Sequence, residues 1–379
     1  MAVYNPTPHH TTRVLSPKIK ITFIRHDAPS LDWMIKAMHI TDPEILSRFV
    51  RDDVNPDYIV ASDKCFVVKE DCLRLQDYLQ RLPDSIFIFL TYECVDPDLN
   101  IFDYAFSMNS DLKCGDRTAH VLHYICGRHS TTTDYYANDI TTDEARKILE
   151  SRPKFCNFIY SHADEPRDTF FHLLSQYKLV DSLGPHLNNT GTTPTRWTGN
   201  WYPLSIELKK GYKFSMAIEN AVYKGYTTEK IISSFQAHTV PIYWGDPAVA
   251  DYINPKAFIN CMDYASFDEV IERVREIDNN DDLWLDMVTQ PWQTEEQRIK
   301  TLQEAAEYQE LVRNIFYQDI RSARRRPVGM FGDMCRKGFH GYVVIPPLRL
   351  RVLRKIKSVI RKLIPKKVKA VLKKLLNRN

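Results

Sequence analysis

Apolar residues along the chain follow two spacings that alternate with each other. Apolar runs at residues 18–24 (KIKITFI) and 85–91 (SIFIFLT) predict strands, and the second is continuous enough to be covered on both faces. Between them, residues 70–82 carry leucines and a tyrosine at helical spacing. Strands that alternate with helices in this way predict an α/β fold with parallel sheets.

The stretch from Tyr212 to Pro247 carries the same pattern at higher density. Residues 213–218 and 239–244 are typical of strands, and Thr228 can cap a helix between them. A strand, a helix and a strand in this order form the crossover unit of a parallel sheet, whose ligands lie beyond the carboxyl ends of the strands. Six polar residues fall at that edge: Glu219, Asn220, Tyr226, Thr228, Glu229 and Lys230.

The chemistry at this edge suits an anion. The start of a helix offers unpaired N–H groups and a partial positive charge, and Lys230 in the first turn adds a full charge. A diphosphate is therefore a candidate ligand. Spacing alone leaves two alternatives open: Lys230 can be an ordinary surface lysine, and Glu219 can be a solvated carboxylate or a partner of a sugar hydroxyl.

Parts of this stretch resemble the signature of a known enzyme family. The strings FSMAIEN, YTTEKI and HTVPIYWGDPAVADYINPKAFIN resemble the donor-site signature of the α-1,3/4-fucosyltransferases. The resemblance implies a GT-B fold, in which two Rossmann-like domains face each other across a cleft, and a GDP-fucose donor. It also implies that Lys230 contacts the donor diphosphate and that Glu229 and Glu219 are acidic donor-site residues. Asn220, Tyr226 and Thr228 fall within the same strings, so we predict that they bind the donor too.

Glu93 follows the predicted strand at 85–91, at the edge where a catalytic group is presented. The family usually has Thr-Gly-Glu-Asn here, and the resemblance implies that Glu93 is the base that deprotonates the acceptor. This chain has Tyr92 and Cys94 around that glutamate, so the shape of the acceptor pocket differs. The alternative is a glutamate on an exposed loop.

Arg167 lies in the first turn of a helix that follows a predicted strand at 154–160. It faces the same diphosphate as Lys230, or it pairs with Asp164 or Glu165. Bacterial relatives often have an arginine where this chain has Leu187. The resemblance then implies that the phosphate cation comes from Arg167, His186 or Arg196, or that the donor is held more weakly.

Three residues are candidates for acceptor binding: Trp197, Trp201 and Arg117. Either tryptophan can stack on an acceptor sugar or fill the gap between the domains. Arg117 follows Asp116, and we expect a structural salt bridge between them first and an acceptor role second. The proline between Asp96 and Asp98 favours a turn over a metal-binding DxD motif.

A chain of 379 residues with 44% hydrophobic residues is long enough for two cores. We predict an N-terminal acceptor domain at 1–152, a donor domain with a return helix at 153–346, and a basic tail at 347–379. The predicted return helix spans Trp292 to Arg326 and crosses back to the first domain. Capping boxes at Thr141 and Ser266 mark two further helix starts.

The tail differs sharply in charge from the rest of the chain. It contributes +13 from Arg349 onward, without an acid, to a net charge of +3, so residues 1–348 carry −10. Its leucines, isoleucines and valines recur every three or four residues, which predicts an amphipathic helix on an anionic membrane surface. A nucleic-acid arm or a solvated tail is the alternative, but the tail has no aromatic residue for base stacking.

The eight cysteines show no CxxC pair and no metal-ligand spacing, which indicates free thiols in a reducing compartment. The N-terminal residues show no signal-peptide pattern, and no apolar stretch approaches the roughly 18 residues of a membrane span. We therefore expect a bacterial enzyme in the cytoplasm, at the inner face of the membrane.

The resemblance implies an inverting fucosyltransferase that acts on O3 of GlcNAc in Galβ1,4GlcNAc, within a lipid-linked or lipopolysaccharide glycan. We expect no required cofactor, with stimulation by Mn²⁺ or Mg²⁺ left open, and no nucleic-acid partner. Two alternatives remain: a GT-B enzyme that uses another nucleotide sugar, and an inactive membrane-associated glycan-binding protein.

Overall fold

The computed structural model describes residues 18–25, 27, 30–122, 140–151, 154–191 and 201–338. Within these residues, six parallel strands form a first sheet in the order β2-β1-β3-β4-β5-β6. They are β1 (Ile19–Phe23), β2 (Phe49–Arg51), β3 (Tyr58–Ala61), β4 (Ile86–Leu90), β5 (Tyr104–Ser107) and β6 (Thr118–His120). The connecting helices are α1 (Leu31–Ala37), α2 (Pro43–Arg48), α3 (Lys64–Val67) and α4 (Lys69–Arg81).

A second parallel sheet of five described strands has the order β11-β10-β9-β7-β8. Its strands are β7 (Lys154–Phe158), β8 (Val180–Ser182), β9 (Tyr212–Ile218), β10 (Val240–Trp244) and β11 (Ile259–Asn260). The helices are α5 (Thr142–Glu150), α6 (Glu165–Tyr177), α7 (Trp201–Lys209), α8 (Glu229–Gln236), α9 (Phe267–Asp278) and α10 (Asp281–Val288). The predicted α/β fold with two parallel sheets is confirmed.

The central strands of both sheets are covered on two faces. Every residue of β3, β4 and β5 is buried, and so is every residue of β9 except Lys213. This burial explains the continuous apolar runs in the sequence, because helices pack against both sides of a parallel sheet. The predicted crossover is also correct: β9 pairs with β10 in parallel, and α8 lies between them in the chain.

Helix starts follow the capping residues that the sequence indicates. The Thr228 hydroxyl accepts the N–H of Lys230 at the start of α8. Thr141 opens α5 with a complete capping box. Ser266 caps α9 as predicted, but the Glu269 side chain accepts from the N–H of Ala265 instead of that of Ser266.

The chain returns to the first domain through α11 (Glu295–Tyr317). This helix ends before the predicted Arg326, and its second half packs in the core of the first sheet through Tyr308, Leu311, Val312, Ile315 and Phe316. Arg326 then forms a fully buried ion pair with Asp103. The last described helix is α12 (Met330–Gly338).

Helix α5 lies before the predicted domain boundary at residue 152, yet its Ala145 packs in the core of the second sheet. The cysteines that the structure describes are all free thiols. Among the described residues, no helix combines the length and apolarity needed to cross a membrane. The basic tail lies outside the described residues.

Candidate active site between the two sheets

Glu219 and Lys230 form the centre of the site, at the carboxyl end of β9 and the start of α8. The Glu219 side chain is fully buried, and its Oε2 lies 2.7 Å from Lys230 Nζ. Thr228 donates its backbone N–H (2.9 Å) and its hydroxyl (2.8 Å) to the same carboxylate. Gly245 packs against Glu219 so closely that a Cβ would lie 2.6 Å from its Cβ and Cγ, at a φ of +151°.

The two charges of this pair shift each other's pKa. Burial raises the pKa of Glu219, and Lys230 acts against that shift. For Lys230, burial alone would lower the pKa, but the carboxylates of Glu219 and Glu229 outweigh it and raise the pKa. Lys230 is therefore charged at neutral pH, and 23% of its side chain remains exposed. Its Nζ also donates to the Thr228 hydroxyl at 3.0 Å, and the Glu219 carboxylate beside it is fully buried.

Arg167 adds a second cation beside this pair. It is 5% exposed, and its guanidinium carbon lies 4.1 Å from the centre of the Tyr160 ring. Its Nη2 donates to the carbonyl of Ile218 at 3.4 Å, while its Nε is buried without a hydrogen-bond partner among the described residues. The alternative pairing with Asp164 or Glu165 is absent from the described structure.

Tyr160 is a functional-site residue that the sequence reasoning missed. Its hydroxyl accepts the N–H of Ile218 at 2.7 Å, at the end of β9, and donates to backbone carbonyls of the same strand. Tyr160 thereby fixes the end of β9 directly before Glu219 and supports the Arg167 guanidinium. Its position beyond the carboxyl end of β7, next to β9, is the signal that would have identified it.

The loop between β9 and α8 reaches from the second domain to the first. The Tyr223 hydroxyl donates to Asp96 at 2.5 Å, and Lys224 Nζ lies 2.7 Å from a carboxylate oxygen of Asp111. Gly225 follows at a φ of +88°, and a Cβ there would lie 2.2 Å from the carbonyl oxygen of Met108. Only glycine lets the two backbones approach this closely.

The same loop places Tyr226 against the predicted base. Tyr226 is 3% exposed and packs in the core of the first domain, and its hydroxyl donates to Glu93 Oε2 at 3.1 Å. Burial, with Glu219 and Glu93 nearby, raises the pKa of Tyr226, so its hydroxyl keeps the proton that it donates. We call the loop at residues 219–228 the donor loop. The sequence groups Tyr226 with the donor residues, whereas in the structure Tyr226 joins the donor loop to Glu93.

Glu93 itself lies half-buried on the loop that follows β4. Its N–H donates to the Thr91 hydroxyl at 3.0 Å, and the neighbouring Tyr92 hydroxyl donates to the carbonyl of Ala37 at 2.6 Å. Burial, then Glu93 and Glu219, raise the pKa of Cys94 to about 12. Tyr226 bonds Glu93, and Thr228, two positions later, bonds Glu219, so Glu93 and the Glu219–Lys230 pair lie close to each other.

Arg117 makes contacts that differ from those that the sequence predicts. Its guanidinium donates to the backbone carbonyls of Leu99, Phe102 and Asp103, so it holds a loop of the first domain in place. The predicted pair with Asp116 is also wrong, because Asp116 pairs with Arg325 at 2.7 Å. Such a partner, more than 200 positions away in the sequence, gives no local signal.

The other residues that the sequence predicts for the site differ in exposure and in their partners. Asn220 is exposed at the start of the donor loop, and Trp201 is half-buried in the first turn of α7. His186 pairs with Asp168 at 2.7 Å. Trp197 and Arg196 lie outside the described residues.

Asp98 caps a turn through the N–H of Asn100, and Asp96 accepts from Tyr223 and Asn109, in agreement with a turn. Among the described residues, no group of three or more His, Cys, Asp or Glu side chains is arranged to hold a metal ion.

Comparison with known proteins finds a family model that matches part of this chain. The family model described as glycosyltransferase family 10 (fucosyltransferase) C-term matches residues 149–320. A putative fucosyltransferase of Acanthamoeba polyphaga mimivirus is 32% identical over 213 residues, which are 55% of this chain and 34% of that protein. The α-(1,3)-fucosyltransferase FucT of Helicobacter pylori is 30% identical over 228 residues, which are 53% of this chain and 46% of that protein. The matches thus span less than half the length of these curated relatives.

Solved structures agree in fold. A crystal structure of an α1,3-fucosyltransferase aligns at a TM-score of 0.60 and 22% identity, over 83% of this chain and 95% of that one. A structure of an α1,3-fucosyltransferase with GDP-fucose aligns at 0.58 and 22%, over 83% and 96%. The two sheets therefore form a GT-B fold, and residues 149–320 match the C-terminal domain of glycosyltransferase family 10, the fucosyltransferase family.

Proposed function

We propose that this protein is an inverting fucosyltransferase that moves L-fucose from GDP-β-L-fucose to a glycan hydroxyl and forms an α-linkage. One observation carries the proposal: the Tyr226 hydroxyl lies 3.1 Å from Glu93, so the loop that leads into Lys230 also holds the carboxylate of the other domain. An anion site and a base on opposite sides of one cleft are the two groups that a glycosyl transfer from a nucleotide needs.

The donor diphosphate would lie at the start of α8. Lys230 supplies an ammonium there on a side chain that is 23% exposed, the helix start supplies its partial positive charge, and Arg167 has a buried Nε without a partner among the described residues. These groups stabilise the negative charge that develops on the departing GDP. Because they are cations of the protein itself, we expect transfer to continue in the presence of EDTA, with Mn²⁺ or Mg²⁺ as stimulants at most.

Glu93 would act on the acceptor. The acceptor oxygen attacks the anomeric carbon, and the bond from that carbon to the β-phosphate oxygen breaks with its electron pair leaving on GDP. The acceptor proton passes to Glu93, so charge and atoms balance. Attack on the face opposite to the phosphate converts the β-linked donor into an α-linked product. Closure of the cleft around both substrates supplies the alignment.

The acceptor that we propose is O3 of GlcNAc in a Galβ1,4GlcNAc unit. The test is to incubate the purified chain with GDP-fucose and an oligosaccharide array, and to locate the new linkage by mass spectrometry and NMR. GDP-mannose serves as the matched donor control. Fucose on O3 supports the proposal, and transfer from a different nucleotide sugar in preference to GDP-fucose contradicts it.

We also propose that the basic tail at 347–379 docks the enzyme on the inner face of the cytoplasmic membrane, where lipid-linked or lipopolysaccharide glycans are accessible. Each Lys or Arg near an anionic leaflet contributes on the order of 1 kcal/mol. The preceding helix α12 supports this by exposing Met330, Phe331 and Met334 at 68%, 73% and 61%. A chain truncated before Pro347 should no longer co-sediment with anionic vesicles, and equal binding would contradict the proposal.

A further inference from the structure

Lys209 is a buried lysine that the proposed reaction does not use. It ends α7, is 5% exposed, and points its ammonium at the first turns of α8. Its Nζ lies 2.6 Å from the Ser233 hydroxyl, 3.1 Å from the Ser234 hydroxyl and 3.1 Å from the carbonyl oxygen of Lys230. All three acceptors belong to the helix whose start forms the anion site.

This environment is unusual for an ammonium. Buried lysines normally pair with a carboxylate, because an isolated charge loses its hydration energy. The acceptors of Lys209 are neutral, and no carboxylate of the described residues lies within ion-pair distance of it. Burial lowers the pKa of Lys209 to about 7, so it changes charge near neutral pH.

Three charged side chains surround the Lys209 ammonium. The charged groups that act on it are Glu229 and Lys230 of α8, and Glu219 at the end of β9. Lys230 is already paired with Glu219 at 2.7 Å, so much of its charge is neutralised. When it is protonated, Lys209 therefore adds a positive charge beside the helix start, and no carboxylate of the described residues lies close enough to pair with it.

We infer that Lys209 is a positioning residue for the donor: it ties the first turn of α8 to α7, and it supports the diphosphate from inside the protein by taking up a proton as the donor binds. This inference rests on the proposed function, since it needs an anionic donor at Lys230. A bound anion favours the protonated form of a nearby amine, so protonation and donor binding strengthen each other.

Isothermal titration of the full chain with GDP-fucose, in the absence of acceptor, tests the inference. The diphosphate of GDP-fucose does not titrate near neutral pH. Titrations at pH 7.5 in two buffers of different ionisation enthalpy therefore count protons taken up by the protein. If the donor raises the pKa of Lys209 by about one unit, the wild type takes up about half a proton, and its affinity falls about tenfold from pH 6 to pH 9.

Three variants distinguish the effect of the Lys209 charge from the effect of its structural contacts. Lys209→Arg keeps a permanent charge, so it should bind the donor without proton uptake and with a flat pH profile. Lys209→Met should bind about eightfold more weakly than the wild type at pH 6.5, also without proton uptake. Its fold should persist, because the Ser233 and Ser234 hydroxyls still donate to the Lys230 carbonyl. Lys210→Met, at an exposed neighbour paired with Glu207, is the control and should match the wild type.

The outcomes are distinct. Wild-type binding without proton uptake, or equal uptake by Lys209→Arg, overturns the role of Lys209 and leaves the proposed function standing. A folded wild type that does not bind GDP-fucose at all overturns the proposed function and this inference together. A Lys209→Met variant that binds like the wild type at pH 6.5 also refutes the role of the charge.

Discussion

Replacing Lys230 by methionine should cost this protein stability as well as donor affinity. The substitution removes the ammonium 2.7 Å from Glu219 and leaves a fully buried carboxylate without its counter-ion. Removing one partner of a buried ion pair typically costs about 3–5 kcal/mol of unfolding free energy. Thr228 keeps its hydrogen bonds to Glu219, and Lys230 is partly exposed. We therefore expect a loss near the lower end, about 3 kcal/mol at pH 8.

The stability that Lys230→Met loses should depend on pH. Burial raises the pKa of Glu219, and without Lys230 only the hydrogen bonds from Thr228 oppose that shift. A carboxyl whose pKa is raised by folding contributes stability below its unfolded pKa of about 4.3, and the contribution is lost as pH rises through the folded pKa. The deficit of Lys230→Met relative to the wild type should therefore be small near pH 5 and largest at pH 8.

Urea unfolding at pH 5 and pH 8 measures both effects. The double variant Lys230→Met with Glu219→Gln should recover most of the lost stability at pH 8, because a neutral amide replaces the unpaired carboxylate. It should not recover binding of GDP-fucose. Lys224→Met is the matched control: Lys224 and Asp111 are exposed at 45% and 64%, so this change should leave the stability close to that of the wild type. A single variant as stable as the wild type at pH 8, or a double variant no better than the single, would refute the reasoning.

Further predictions concern the two sides of the cleft. Glu93→Gln should abolish transfer while GDP binding, measured by calorimetry, stays intact; loss of both would remove Glu93 from the role of base. Tyr226→Phe deletes the hydroxyl that donates to Glu93 and should lower kcat about tenfold or more, with donor affinity within about twofold. Donor affinity that falls as much as kcat would instead return Tyr226 to the donor residues. Gly245→Ala should lower the unfolding free energy by about 2 kcal/mol, since its Cβ would overlap Glu219; an unchanged melting temperature would contradict this.

The contacts of the donor loop link the two domains at the site. Tyr223, Lys224 and Tyr226 each bond a carboxylate of the first domain, while the loop ends at Thr228, which caps α8. Thr228 lies two positions after Tyr226, so a short covalent segment joins the start of α8 to the residue that contacts Glu93. Glu93 and the Glu219–Lys230 pair are thus linked through this loop, although they belong to different domains.

The sequence by itself determined the local structure and the donor edge of the site. Covered strands need continuous apolar runs, and helix starts need capping residues, so β4, β9 and α8 appear where the pattern predicts them. The rule that ligands lie beyond the carboxyl ends of parallel strands places Glu219 and Lys230 at the same edge of the sheet. The structure adds that they form a 2.7 Å ion pair, instead of a surface lysine and a solvated carboxylate.

Only the tertiary structure decided which distant side chains meet. Tyr226 contacts Glu93 across 133 positions, and Arg117 donates to backbone carbonyls instead of pairing with Asp116. Lys209 looks in the sequence like an ordinary helix-terminal lysine, yet its ammonium is buried under α8. Periodicity records which face of an element is covered, but the partner that covers it depends on how the two sheets, the donor loop and the return helix pack together.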